Sequence, residues 1–297
     1  MGEVEYSGGD FGKFVVAGAI AGTAEHCGMF PLDTIKTHVQ AARPNGEFLA
    51  LRQSIGLIVR GSGYGGFFRG ISAVVGGAAP AHAVYFSTYE FVKQRLGVSR
   101  RHDDHQPVAT AAAGIAATTL SDLIMVPMET IKQRMQLNMR PYKSVPHCIK
   151  TVLRNEGVFA FWAGYTTTLT MNLPYAGMWF ASYESLCKLI YSRQGQPPLN
   201  EAGEPEYNPT VHLLAGGGAG VCASAFTNPF DVAKTRLQTQ GDVGKTYSGM
   251  VDALTTIWRE EGIYGYMRGV RPRMVFHATS GAICWSVYEF VKQWIGD

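Results

Sequence analysis

Six side chains able to hold a borderline metal ion stand in stretches of this 297-residue chain that carry almost no charge: His26, His82, Asp122, Met171, Asn172 and His277. Residues 70–89, 157–183, 207–230 and 274–288 contain no Asp, Glu, Lys or Arg, while 14–32 and 105–128 hold one acid each, Glu25 and Asp122. Imidazole, thioether, amide and a single carboxylate suit a divalent first-row transition metal better than Mg or Ca, which favour all-oxygen shells. An incomplete, exchangeable ligand set suits a cargo, since a closed four-ligand site would retain it. No Lys or Arg is expected in the middle of these stretches. A cargo of nucleotide, phosphate or carboxylate would need one to offset its desolvation.

A second pattern is ionic and threefold. Pro31-Leu32-Asp33-Thr34-Ile35-Lys36, closed by Gln40, returns as Pro127-Met128-Glu129-Thr130-Ile131-Lys132 with Gln136, and as Pro229-Phe230-Asp231-Val232-Ala233-Lys234 with Gln238. Pro inside a helix removes a backbone bond and bends it. Acid and base three apart share a helix face. The pattern predicts three bent helices, kinked at Pro31, Pro127 and Pro229, whose charged elbows meet; pairing within each helix is the alternative, but it does not explain the repetition. Seven residues before the three acids, two turns back on nearly the same stripe, are His26, Asp122 and Ser224.

The elements that must position these groups repeat too. After each motif comes a polar amphipathic stretch (46–61, 143–156, 247–261). A segment bounded by Gly63 and Gly70, Gly157 and Gly164, or Gly262 and Gly269 follows, and then a second helix ending in Tyr89-Glu90, Tyr183-Glu184 or Tyr288-Glu289. Composition is 46% apolar and 16% charged, too apolar for disorder and too poor in charge for an ordinary soluble protein. The reading is an all-α membrane protein with six transmembrane helices in three pseudo-symmetric repeats (11–97, 106–193 and 209–295) within one domain, 1–297, each repeat with a short amphipathic helix. Loops 36–69, 132–162 and 234–273 hold 18 of the 26 Lys and Arg, which puts them on one side of the membrane and both termini on the other. Five scattered cysteines without a CxxC argue against a disulfide framework or a zinc knuckle. Residues 1–10 lack the features of a leader, so targeting is expected to be internal. No nucleophile–base pair or phosphate loop appears; no enzyme, catalytic residue, cofactor or nucleic-acid partner is expected. His38, His102, His105, His147 and His212 fall in loops or at helix ends and are expected to be solvated.

The triplicated Pro-acid-base motif with its later glutamine, the acid-Gly pairs after the amphipathic stretches and the Tyr-Glu ends resemble the mitochondrial carrier family over nearly the whole chain. The resemblance implies a monomer in the inner mitochondrial membrane, its termini toward the intermembrane space, working by alternating access. It implies a matrix gate in which Asp33, Glu129 and Asp231 pair with Lys36, Lys132 and Lys234 of neighbouring repeats, braced by Gln40, Gln136 and Gln238. A cytosolic gate would use Glu90, Lys93, Glu184, Glu289 and Lys292; Cys187 stands where its third base belongs, so this gate should be the weaker. Ala24-Glu25-His26-Cys27, Pro80-Ala81-His82 and Met171-Asn172-Leu173-Pro174 resemble the family's iron-importing branch, which implies iron(II) as substrate; a small cationic or zwitterionic solute is the alternative. Phe68-Arg69-Gly70 and Tyr247-Ser248-Gly249 resemble the family's cardiolipin contacts.

Overall fold

A computed structural model describes residues 10–42, 49–96, 107–140, 142–195, 208–244, 246–280 and 283, and among them every regular element is helical. The first repeat comprises α1 (Asp10–Gln40), α2 (Leu51–Ser62), a 3-10 turn (Tyr64–Phe68) and α3 (Ile71–Arg95). The second comprises α4 (Pro107–Leu137), α5 (Val145–Asn155), a 3-10 turn (Val158–Trp162) and α6 (Tyr165–Gln194). The third comprises α7 (Pro209–Phe226), α8 (Asn228–Val243), α9 (Met250–Tyr266) and α10 (270–280). Helix α4 is long and apolar enough to cross a membrane by length and composition.

Local chemistry explains the boundaries. Pro209 opens α7 behind Asn208, whose side-chain oxygen accepts from the Thr210 and Val211 amides. Ser144 caps α5 by accepting from the His147 amide. Gly70 and Gly164 hold φ of 86° where the 3-10 turns give way to α3 and α6. A Cβ on Gly70 would also stand 3.1 Å from the Lys132 carbonyl, so glycine answers both to a left-handed backbone and to close approach of another repeat's motif helix.

The motif prolines do not act alike. Pro31 and Pro127 lie inside continuous α1 and α4, whereas the third motif helix is interrupted at Thr227, two residues before Pro229. Arg273, 3% exposed, takes up the groups the break frees. Its Nη1 donates to the Ser224 carbonyl at 2.8 Å and its Nη2 to the Thr227 hydroxyl at 3.0 Å.

The contacts resolve into two compact units. One comprises Thr37–Asn172 and Pro229–Arg268. Within it α3 packs along α4, with Gly77 lying so near Met128 that a Cβ there would overlap the thioether side chain. Ala73, Ile131, Met135, Tyr142, Cys148, Val152 and Phe161 form one apolar cluster, and Val232, Ala233, Leu237, Tyr247, Ala253 and Ile257 another. The second unit comprises Met1–Lys36, Leu173–Asn228 and Gly269–Asp297. Here α7 meets α10 through small residues: a Cβ on Gly217 or Gly220 would stand 3.1 Å from the carbonyl of Ala278 or His277.

Cys148 is fully buried, and burial pushes its thiol up to about 12. The raised group stays protonated in the fold, so its contribution is intact below the unfolded thiol range near ~8.5 and is lost as pH rises through the folded value. Maleimide at about pH 8 is expected to leave Cys148 unlabelled until denaturant is added; labelling of Cys148 in the native protein would contradict its burial.

Candidate functional site

Three motif helices supply a ring of polar groups inside the first unit. Lys234 Nζ lies 2.6 Å from Glu129 Oε2, joining the base of one repeat to the acid of another. Gln40 Nε2 donates to Asp231 Oδ2 at 2.7 Å, and Thr235 returns a hydroxyl to Gln40 Oε1 at 3.1 Å. Thr37 Oγ1 donates to Gln136 Oε1 at 2.9 Å. Gln40, Gln136 and Gln238 are all buried. Gln133 stands where the other repeats carry Thr37 and Thr235; among the described residues Gln133 Oε1 and both side-chain heteroatoms of Gln238 are buried without a hydrogen-bond partner. Asp33, Lys36 and Lys132 are half-buried on the same helices, and each is engaged.

A second tier lies two residues before the glutamines. Arg134 Nε donates to the Gln238 carbonyl at 3.0 Å, and Arg236 Nε to the Gln40 carbonyl at 3.3 Å. Both guanidiniums also grip a carboxylate with two nitrogens, Arg134 on Glu156 and Arg236 on Glu261. A Cβ on Gly241 would overlap the Glu156 carboxylate, so glycine is what leaves room for that pair. In the first repeat the position is His38, 2% exposed, with Nε2 3.0 Å from the Gln136 carbonyl. This corrects the expectation of a solvated His38: the helix end is covered by a neighbouring repeat, which periodicity does not reveal. His212 likewise is half-buried and shares a hydrogen bond with the Tyr183 hydroxyl. The arginines of this tier were legible as a recurrent base seven residues after each motif proline in two repeats.

The metal-binding candidates divide between the units. His82, Asp122, Met171 and Asn172 belong to the first, His26 and His277 to the second. Asn172 Nδ2 donates to Asp122 Oδ2 at 3.1 Å, which brings α4 and α6 together at two of the predicted residues, with Met171 half-buried beside them. His82 is exposed on α3. His277 shares a 3.1 Å hydrogen bond with the Tyr175 hydroxyl, a partner that sequence reasoning did not single out although it adjoins Pro174. His26 lies within α1, and its side chain is outside the described residues. Glu25, next to it, accepts from the Ser280 hydroxyl and so ties α1 to α10. Among the described residues no three His, Cys, Asp or Glu side chains come together.

No Lys or Arg lies within the low-charge stretches, but one reaches into them from an edge. Arg273 reaches the carbonyl of Ser224, one of the three stripe residues, although Arg273 itself lies only a turn from the start of α10. A long side chain carries its charge well away from its own Cα. That charge is engaged at the broken helix rather than presented as an anion trap.

Of the other predicted ionic set, Glu90 and Glu184 are exposed and Lys93 Nζ lies 5.2 Å from the centre of the Tyr89 ring. Glu289 and Lys292 lie outside the described residues.

Comparison with known proteins accounts for the threefold pattern. The family model described as "Mitochondrial carrier protein" matches three times, at residues 8–100, 103–194 and 205–297. The chain is 49% identical to Mitoferrin of Dictyostelium discoideum, covering 98% of this chain and 96% of that protein. It is 37% identical to Mitoferrin-1 of Homo sapiens, over 95% of this chain and 82% of the relative. It is 39% identical to the Mitochondrial RNA-splicing protein MRS4 of Saccharomyces cerevisiae, over 95% and 90% respectively. An all-helical chain with a triplicated proline-acid-base ring and this family match belongs to the mitochondrial carrier family and is a transporter, not an enzyme.

Proposed function

We propose that this protein carries iron(II) across the inner mitochondrial membrane by alternating access. The observation that carries the substrate is the near-full-length likeness to proteins named mitoferrin, 49% identical in one case. The Asn172–Asp122 pair supports it: a carboxylate oriented by an amide, with the Met171 thioether on the neighbouring residue, is a borderline donor set with exchangeable geometry. His26, His82 and His277 complete the substrate set in this reading, each as neutral imidazole.

In this reading the chain crosses the membrane six times with both termini toward the intermembrane space, and the motif ring forms the matrix gate. The buried Lys234–Glu129 pair suits a switch, since such a pair offsets its desolvation only when well made and so opens at modest net cost. The Glu90, Lys93, Glu184, Glu289 and Lys292 set forms the weaker cytosolic gate, with Cys187 in place of a base. The membrane partner is an anionic lipid such as cardiolipin. A cleft of ≈ 590 Å³ lined by Arg69, Met135, Asn138, Tyr142 and Lys143 offers two cations to its phosphates. The carrier works as a monomer.

The test is uptake of iron(II) into liposomes containing the full chain. His26→Ala, His82→Ala and Asp122→Asn are each expected to lower initial uptake at least several-fold at equal folded protein. Affinity should fall on acidification, because imidazolium does not bind metal. Wild-type uptake in the histidine variants, or a flat affinity across about pH 5.5–7.5, would remove the imidazoles from the site. Competition by an amino acid or a sulfonium compound, and none by other divalent metals, would replace iron with an organic cation.

A further inference from the structure

The two helices that carry the Lys234–Glu129 pair meet again farther along. Asp242 lies on α8 eight residues beyond Lys234, about 12 Å along the helix. Its side chain is 0% exposed. The Tyr142 hydroxyl donates to Asp242 Oδ1 at 2.6 Å, a short bond of the charge-assisted kind. Arg140 Nε and Arg134 Nη1 stand 3.6 and 3.7 Å from the same oxygen. Arg140 Nη2 also donates to the Gly241 carbonyl at 2.6 Å. Each of these donors comes from repeat 2, and each acceptor from repeat 3.

Each side of this contact is fixed to its own repeat. Tyr142 is 2% exposed and packs in the apolar cluster with Ile131, Met135, Cys148, Val152 and Phe161 of repeat 2. Its ring therefore follows α4 and α5. Asp242 is part of α8 and follows Lys234. When α4 and α8 part at Glu129 and Lys234, the Tyr142–Asp242 bond is pulled apart with them. The carboxylate then loses the phenol and both guanidiniums together, a large cost for a buried charge until water reaches it. The carbonyl of Tyr142 accepts from Arg69 Nη2 of repeat 1 at 2.9 Å, so this one residue has contacts in all three repeats.

We propose that Tyr142 and Asp242 form a second latch of the gate, across the seam between repeats 2 and 3, and that this latch breaks each time the ring opens. Tyr142 is its positioning residue: the phenol holds the end of α8 against repeat 2, and so holds Lys234 on Glu129. Cargo loads while the gate is shut, so the latch acts on loading through the shut population rather than by touching the cargo. The inference rests on the carrier reading, in which the motif ring is a gate.

Fastening the latch tests it. p-Azidophenylalanine in place of Tyr142 keeps the ring and puts a photoreactive group where the hydroxyl stands. Illumination of the full chain in liposomes is expected to join residue 142 to the Gly241-Asp242 segment, read by mass spectrometry, and iron(II) uptake should fall in proportion to the joined fraction. Full uptake by joined protein overturns the proposal, and so does a cross-link that goes elsewhere. Tyr142→Phe decides the matter if the azide variant does not fold. Losing the hydroxyl should raise the half-saturation concentration for iron(II) several-fold with no fall in the maximal rate, because the loading state is then less populated. A purely structural tyrosine would lower the amount of folded protein and the maximal rate at an unchanged half-saturation concentration, and that result also overturns the proposal. Wild-type protein that moves no iron overturns the iron reading instead. Hydrogen–deuterium exchange then decides the latch: amides of 134–140 and 236–242 should exchange at least several-fold more slowly in the joined protein or, with the phenylalanine variant, several-fold faster than wild type, and unchanged exchange overturns it.

Discussion

Arg236→Ala is expected to be the most destabilising single substitution in the motif ring, at about 3–5 kcal/mol. Arg236 is 1% exposed, bonds both oxygens of Glu261 and donates to the Gln40 carbonyl. Alanine removes every one of these donors and leaves a buried carboxylate that still faces Arg268. Lysine should recover little, because one ammonium cannot reproduce the planar fork that meets both acceptors. The double variant Arg236→Ala/Glu261→Ala should be more stable than Arg236→Ala alone, since the stranded charge goes with its partner. Thermal unfolding of the three purified proteins decides this; a melting temperature for Arg236→Ala within a degree or two of wild type would show that the clamp carries little.

The same clamp has a pH signature. Burial works against the Glu261 charge, but the hydrogen bonds and charges of Arg236 and Arg268 outweigh it and hold the carboxyl below its usual range. Its contribution is therefore present above the unfolded carboxylate value near ~4.3 and is lost only as pH falls through the lower folded value. In Arg236→Ala the acid-unfolding transition should move to higher pH.

The second large effect is on transport. Lys234→Ala is expected to lower maximal iron uptake more than tenfold, because Glu129 then faces a dry gate without the base it holds at 2.6 Å. The exchange Glu129→Lys with Lys234→Glu restores opposite charges at the same separation and should recover a substantial part of the rate. A loss in the single variant that the exchanged pair does not relieve would point to a positional need for Lys234 rather than to pairing. Full uptake by Lys234→Ala would remove this pair from the gate.

The sequence by itself determined the threefold repeat and the all-helical class, because proline, paired charges and glycine act locally and recur at fixed spacing. It also placed acid and base on one face of each motif helix, with a glutamine following. It did not determine partners. That Gln40 serves Asp231, that Lys234 takes Glu129 and that Asn172 meets Asp122 are matters of which repeat lies against which. Arg273 reads as a residue near a helix start, and only packing brings its guanidinium to the Ser224 carbonyl at a broken helix. His38 reads as a polar residue at a helix end, and only the neighbouring repeat buries it. Helical periodicity assigns a side chain to a face, whereas burial and pairing depend on what that face meets, and in a ring of repeats what it meets is far away in sequence.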